Sequence, residues 1–133
     1  MSATGRCECG GVRYRVAGEL REVWACHCGQ CRRTSGNFVA ATNVPKAALT
    51  LLEDATLAWY RSSATAERGF CTRCGGNLFW REVAADAPTI SIMAGTLDPP
   101  TGLRVIAHIF VADKSDFYAI PDGAPQHAAW PAK

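Results

Sequence analysis

The chain has 133 residues, of which 48% are hydrophobic and 20% are charged, and its formal net charge is +2. These values are ordinary for one globular domain, and no apolar run approaches the ~20 residues that a membrane-spanning helix needs. We therefore expect residues 1–133 to form a single domain outside the membrane. Because the first residues carry no apolar secretory segment, we also expect a cytoplasmic protein.

The first half of the chain is predicted to contain short strands. Residues 11–16 alternate apolar and polar side chains, which predicts a half-buried strand. Residues 22–25 predict a strand that ends at Cys26, and residues 38–44 predict a strand that is stopped by a proline. Residues 46–49 are expected to form one helical turn.

The second half continues in the same way. Residues 56–60 and 77–81 predict strands, and residues 89–95 and 105–111 are two further β-rich segments separated by Pro and Gly turn signals. From residue 119 the chain is rich in proline and is expected to be irregular. Many short strands with Gly and Pro between them predict a mainly β fold with antiparallel sheets.

All seven cysteines fall in three short clusters. The spacing Cys-x-Cys-x-x-Cys brings three sulfurs to one side of a tight turn, close enough for one soft metal ion but too crowded for ordinary disulfides. A structural zinc takes four protein ligands, whereas a catalytic zinc takes three and keeps one open position. Seven cysteines therefore predict one site of each kind, although spacing alone leaves the pairing of the clusters open. The clusters are Cys7 and Cys9, then Cys26, Cys28 and Cys31, then Cys71 and Cys74.

Three alternatives compete with two zinc sites. Disulfides would leave one thiol of the odd count unpaired. An iron–sulfur cluster is chemically compatible with clustered thiolates, although the Cys-x-x-Cys-Gly turn is more usual at zinc. A single four-cysteine zinc would leave three neighbouring thiols open to oxidation.

Metal binding changes the charge of the protein. Seven thiolates and two zinc ions would bring the net charge from +2 to about −1. This value gives no electrostatic support for nucleic-acid binding, so we do not expect a nucleic-acid partner.

Four motifs are spread over nearly the whole chain. They are Cys7-x-Cys9-Gly-x-Val12-x-Tyr14, Cys26-His-Cys28-x-x-Cys31-Arg32, Phe70-Cys71-x-x-Cys74-Gly75-x-x-Leu78, and a closing segment with His108-Ile-Phe and Ile120-Pro-Asp-Gly123-x-Pro125. Together they resemble the glutathione-dependent formaldehyde-activating (GFA) family, which includes centromere protein V. The resemblance implies an Mss4-like fold of several coiled antiparallel sheets that carries two zinc ions.

The resemblance also implies a pairing of the clusters and an activity. Cys7, Cys9, Cys71 and Cys74 would hold the structural zinc, and Cys26, Cys28 and Cys31 would hold the open one. The activity named for the family is S-(hydroxymethyl)glutathione synthesis, a carbon–sulfur lyase reaction in reverse, so the expected partner is glutathione, another small thiol or its aldehyde adduct. The rival hypothesis is a non-catalytic, zinc-stabilised binding module, in which a fourth protein ligand could close the second site. A homo-oligomer is left open.

Arginines near the cysteine turns are candidate substrate ligands. Glutathione has two carboxylates, with which Arg32, Arg33 or Arg73 could pair. The alternative is that these arginines are solvated, or that they offset the negative charge of the thiolates.

The histidines carry a weaker signal. His27 lies between two predicted ligands, so its ring is expected to point away from the metal, toward solvent or behind the ligands. His108 and His127 could act as general acid or base, but nothing in the sequence places them near the zinc.

Overall fold

The computed structural model describes residues 2–131, and this range contains ten strands and one α-helix. The strands are β1 (Ser2–Arg6), β2 (Arg13–Ala17), β3 (Val23–Cys26), β4 (Val39–Pro45), β5 (Leu49–Glu53), β6 (Leu57–Arg61), β7 (Ala66–Cys71), β8 (Asn77–Glu82), β9 (Thr89–Met93) and β10 (Val105–Ile109). The helix α1 is Gly29–Ser35, and short 3-10 turns cover Lys46–Ala48, Ala94–Thr96 and Val111–Asp113.

The strands form two sheets. A three-stranded sheet has the order β1-β2-β5, and a seven-stranded sheet has the order β10-β3-β4-β9-β8-β7-β6. Neighbouring strands are antiparallel except β10, which pairs with β3 in parallel. The predicted mainly β fold is confirmed, with one parallel pair at the edge of the larger sheet.

The core lies where β2 faces the larger sheet. The alternation predicted for residues 11–16 is confirmed, because Val12, Tyr14 and Val16 are fully buried. They pack in one cluster with β8 and β9, and the ring of Tyr14 meets Phe79 edge-on with centroids 5.5 Å apart. The same cluster includes Cys7, so the first group of cysteines lies at the junction of the two sheets.

The helix α1 was not predicted from the sequence. It begins because the sulfur of Cys28 caps it, accepting a hydrogen bond from the amide of Cys31 at 3.3 Å. It ends at Gly36, which has a left-handed φ of 83° and whose amide donates to the Arg32 carbonyl. The helix has seven residues, and no helix in residues 2–131 is long and apolar enough to cross a membrane.

Candidate metal centres and an adjoining cavity

The first cysteine group brings together two segments that are far apart in sequence. Cys7 and Cys9 follow β1, whereas Cys71 ends β7 and Cys74 lies in the turn before β8. Their four sulfurs all lie within 4.8 Å of one another, and the Cys9 and Cys71 sulfurs are 3.6 Å apart. Since all four side chains are free thiols, this geometry suits four ligands around one soft cation.

Backbone amides point at the sulfurs of this group. They come from the tight turns that each Cys-x-Cys or Cys-x-x-Cys segment makes, and an N–H···S hydrogen bond lowers the cost of a negative sulfur. The amide of Gly11 donates to Cys9 at 3.4 Å, that of Val12 to Cys7 at 3.3 Å, and that of Cys74 to Cys71 at 3.4 Å.

Two side chains also favour thiolates in this group. The Gly11 amide and the Arg73 guanidinium, whose Nε donates to the Cys9 sulfur at 3.3 Å, lower the pKa of Cys9. The hydroxyl of Thr56, 3.2 Å from the Cys71 sulfur, lowers the pKa of Cys71 to about 6. Arg73 therefore contacts the first cysteine group. This agrees with the alternative in which the arginine offsets the negative charge of the thiolates.

The second group is local. Cys26 ends β3, Cys28 caps α1 and Cys31 lies in its first turn, and the three sulfurs are within 4.8 Å of one another. Hydrogen bonds from Cys26 and Cys31 lower the pKa of Cys28 to about 2, while the contact with Cys28 raises the pKa of Cys26 far above its ordinary value. The protonation states of the three thiols therefore depend on one another. All three become thiolates together only if a cation offsets their negative charge. Within residues 2–131, no fourth Cys, His, Asp or Glu joins this group.

Arg68 is the arginine that contacts the second group. It is only 4% exposed, and its Nη2 donates to the Cys31 sulfur at 3.6 Å. Its Nε and Nη1 are buried without a hydrogen-bond partner. A buried guanidinium against a sulfur fits a thiolate better than a neutral thiol, because a buried charge needs an opposite charge. Sequence reasoning missed Arg68, although strand alternation places it on the same side of β7 as the buried Ala66.

The path of the chain explains this contact. In the larger sheet β7 is four strands away from β3, which is about 19 Å across a flat sheet. Cys31 of α1 packs with Val39, Ala41 and Met93 of β4 and β9. Gln30 of the same helix donates to the Ser62 carbonyl, just before β7, at 2.9 Å. The long side chain of Arg68 covers the remaining distance.

The other predicted arginines lie elsewhere. Arg33 is exposed on α1, and Arg32 is partly buried with an unpartnered Nε. Neither arginine lines the cavity that opens over the second cysteine group.

His27 is fully buried rather than solvated. Its Nδ1 lies 2.5 Å from the Tyr118 hydroxyl, and its Nε2 lies 2.9 Å from Nδ1 of His108. Nε2 of His108 in turn lies 2.8 Å from the Asp122 carboxylate. Burial lowers the pKa of His27 to about 4, so this ring is neutral near pH 7. Tyr118 and Asp122 thereby tie the irregular tail to the second cysteine turn. Sequence reasoning did not single out Tyr118, and it named Asp122 only within the closing motif, without a role.

The side chain of His127 is not part of this hydrogen-bonded series of side chains. Its backbone amide donates to the His108 carbonyl at 2.8 Å, which fastens the tail alongside β10.

A cavity of about 350 Å³ opens over the second cysteine group. Its lining includes Cys26, Cys28, Cys31 and Arg68. Much of the rest is apolar, with Trp24, Trp80, Ile109, Phe110 and Trp130 among the lining residues. Polar side chains line it as well, namely Arg21, Gln30, Asn43 and Ser91. Three sulfurs, a buried cation and an aromatic wall therefore share one space.

Comparison with known proteins places this arrangement in context. Residues 2–113 match the family described as "Glutathione-dependent formaldehyde-activating enzyme". An uncharacterized lyase of Schizosaccharomyces pombe is 29% identical over 115 residues, which cover 86% of this chain and 82% of the relative. A Halomonas elongata protein, provisionally named a glutathione-dependent formaldehyde-activating enzyme, is 30% identical over 133 aligned positions, covering 90% of this chain and 82% of that protein.

A solved structure shares the fold. The crystal structure of a Rhodobacter sphaeroides protein superposes with a TM-score of 0.60, and it covers 92% of this chain and 98% of that one. The two sequences are 19% identical, so this likeness bears on the fold alone.

Proposed function

Because the chain belongs to the glutathione-dependent formaldehyde-activating family, we propose that it is a zinc-dependent carbon–sulfur lyase. Its substrates would be adducts that an aldehyde forms with glutathione or another small thiol. The observation that carries this proposal is the group of three sulfurs that lines a cavity beside the buried Arg68. The names of the two relatives, a lyase and a formaldehyde-activating enzyme, support the same reaction class.

The two cysteine groups are the proposed zinc sites. The group of four would hold a structural zinc, and the group of three would hold a zinc with an open position. Both groups fit the ion, since thiolate sulfur is a preferred zinc ligand and the sulfurs of each group lie within 4.8 Å of one another. A zinc ion bound to Cys26, Cys28 and Cys31 would supply a Lewis acid for the sulfur or oxygen of the adduct.

The reaction needs no oxidant or reductant. In an adduct R–CH(OH)–S–R′ the C–S bond breaks, its electron pair stays on sulfur, and the hydroxyl gives up its proton as the carbonyl forms. The departing sulfur then takes up a proton, so the products are an aldehyde and a thiol.

The residues of this chain would contribute in two ways. Three thiolates, a divalent cation and the Arg68 guanidinium have charges that sum to zero, so Arg68 would keep the site from repelling a fourth anionic sulfur, that of the substrate. The aromatic side chains of the cavity would exclude water from the adduct and strengthen these electrostatic contacts.

The redox state of the cysteines bears on where this reaction would take place. All seven cysteines are free in the structure, which suits a reducing compartment, and we therefore propose that the protein works in the cytoplasm.

Exchange NMR would test the function. The purified zinc protein is expected to accelerate the interconversion of formaldehyde and glutathione with S-hydroxymethylglutathione, or of a related adduct. Cys28→Ser should abolish the acceleration because it removes a sulfur from the group of three. Gly29→Ala is the matched control, since it changes the same turn and its added Cβ meets nothing within 4 Å.

One outcome of this experiment would contradict the lyase function. A protein that binds two zinc ions but accelerates no combination of several thiols and aldehydes would be a zinc-stabilised binding module instead.

A further inference from the structure

The aromatic part of the cavity wall has no partner in formaldehyde or in the polar groups of glutathione. The carbon of formaldehyde carries only hydrogen, so it leaves nothing to fill a wall of indole and phenyl rings. Glutathione carries two carboxylates and amide groups, which can pair with polar side chains of the lining such as Arg21, Arg68 and Asn43, but not with the rings. From this mismatch we infer that the natural adduct carries an apolar, preferably aromatic, group on its aldehyde-derived carbon, with Trp130 as a specificity-determining residue. This inference rests on the proposed lyase function.

The size of the cavity agrees with such a group. An apolar cavity of roughly 150 Å³ holds one benzene ring. A cavity of about 350 Å³ therefore has room for a ring together with the carbon and sulfur that react. The substrate class is the hemithioacetals that thiols form with aromatic or medium-chain aliphatic aldehydes.

Trp130 is the most exposed part of the apolar wall. Its side chain is 62% exposed although it lines the cavity, so it stands at the rim, where an apolar ligand would cover it. Its ring meets that of Phe110 edge-on, with centroids 5.1 Å apart. The Phe110 amide also donates to the Ala129 carbonyl at 3.1 Å, which holds the tail at this place.

Phe110 supplies a second, independent observation. It has a φ of 55°, and in residues 2–131 it is the one residue other than glycine with a positive φ. A bulky side chain is disfavoured in this conformation, and such strain is kept mainly where it serves a site. Here the strained residue places its ring in the cavity wall.

The reaction for this class is balanced as for any hemithioacetal. The C–S bond breaks with its electrons on sulfur, the hydroxyl loses its proton as the aldehyde carbonyl forms, and the thiolate takes up a proton. The apolar group takes no part in the chemistry and contributes only binding.

Unreactive thioethers can test the pocket without turnover. Isothermal titration calorimetry of the zinc-loaded protein would compare S-benzylglutathione with S-methylglutathione. Each buried methylene is worth about fourfold in affinity, so a buried ring should bind at least about tenfold tighter than a methyl group. Trp130→Ala should remove most of that advantage and leave the S-methyl affinity unchanged. Phe117→Ala is the control, because Phe117 is 65% exposed and does not line the cavity.

Exchange NMR with glutathione and either benzaldehyde or formaldehyde completes the test. Faster exchange of the benzaldehyde adduct, lost in Trp130→Ala, would support the inference. Equal affinity for the two thioethers, or a benzyl preference that survives in Trp130→Ala, would overturn it. Acceleration of the formaldehyde adduct alone would overturn the inference and keep the lyase. A Trp130-dependent benzyl preference without any acceleration would keep the apolar specificity of the pocket and overturn the lyase.

Discussion

Arg68 lies with its Nη2 3.6 Å from the sulfur of Cys31, and it is the one buried Asp, Glu, Lys or Arg side chain in residues 2–131. Its partner comes from α1, whereas Arg68 itself comes from β7. The pair therefore joins the second cysteine group to the far side of the larger sheet, and it balances part of the charge that three thiolates would bring.

The first prediction concerns this pair. Arg68→Met keeps an unbranched side chain but removes the charge, so the second group should bind zinc about tenfold more weakly or worse, while the fold is kept. Competition with a chromophoric chelator would measure the affinity. Arg13→Met, at an exposed position of β2, is the control. Equal affinity in the wild type and in Arg68→Met would show that the guanidinium does not stabilise the metal-bound thiolates.

A second prediction separates the two cysteine groups by stability. The group of four joins residues 7–9 to residues 71–74 at the junction of both sheets, and structural zinc binding contributes directly to folding free energy. Cys74→Ser should therefore lower the melting temperature sharply or prevent folding. Cys28→Ser should have a much smaller effect, because its group spans only residues 26–31. Thermal unfolding followed by circular dichroism would compare them, and equal losses would make the second zinc structural as well.

The third prediction is the metal content. Elemental analysis of protein purified without chelator should give about two zinc per chain, and Cys28→Ser should give about one. Iron accompanied by visible absorption would replace the zinc sites with an iron–sulfur cluster. One zinc in the wild type with three reactive thiols would remove the second site.

A fourth prediction follows from the buried Tyr14. Its hydroxyl lies 2.7 Å from Oγ1 of Thr96, and burial raises its pKa from 10.0 to about 12. The folded protein therefore keeps the phenol proton to a higher pH than the unfolded chain does. This contribution is fully present below pH 10 and is lost as the pH rises from about 10 to 12, by up to about 3 kcal/mol.

Tyr14→Phe isolates that contribution. Near pH 7 it should lower the free energy of unfolding by about 1 kcal/mol through the lost hydrogen bond. Between pH 10 and 12 the wild type should lose stability more steeply than the variant, as measured by urea unfolding. Two parallel curves over this range would mean that Tyr14 does not titrate with folding.

Much of the fold could be predicted from local patterns. The alternation in residues 11–16 identified the strand that faces the core, because a period of two is a property of a short segment. The strands β1, β5 and β7 were missed. The sequences of β1 and β5 contain few strand formers on a consistent face, and these two are strands because each pairs with β2. The strand β7 pairs with both β6 and β8.

The candidate site was predicted only where its members are close in sequence. The turn around Cys26, Cys28 and Cys31 is visible as a spacing, whereas Arg68 reaches Cys31 through a contact between residues 37 positions apart. No local pattern encodes such an approach. The same holds for Tyr118, which is 91 positions from His27. The expectation of a single domain stays a prediction.

The parallel pairing of β10 with β3 means that the cavity is assembled from segments that are made at different times during synthesis. Ile109 lies beside Cys26 in this pair, and Phe110 and Trp130 follow it in the cavity wall. The three sulfurs of residues 26–31 leave the ribosome long before these wall residues, since synthesis runs from the N-terminus. The nascent chain would therefore present the sulfurs of the proposed second zinc site before Phe110 and Trp130 complete the cavity wall, so the proposed metal binding could precede the proposed selectivity.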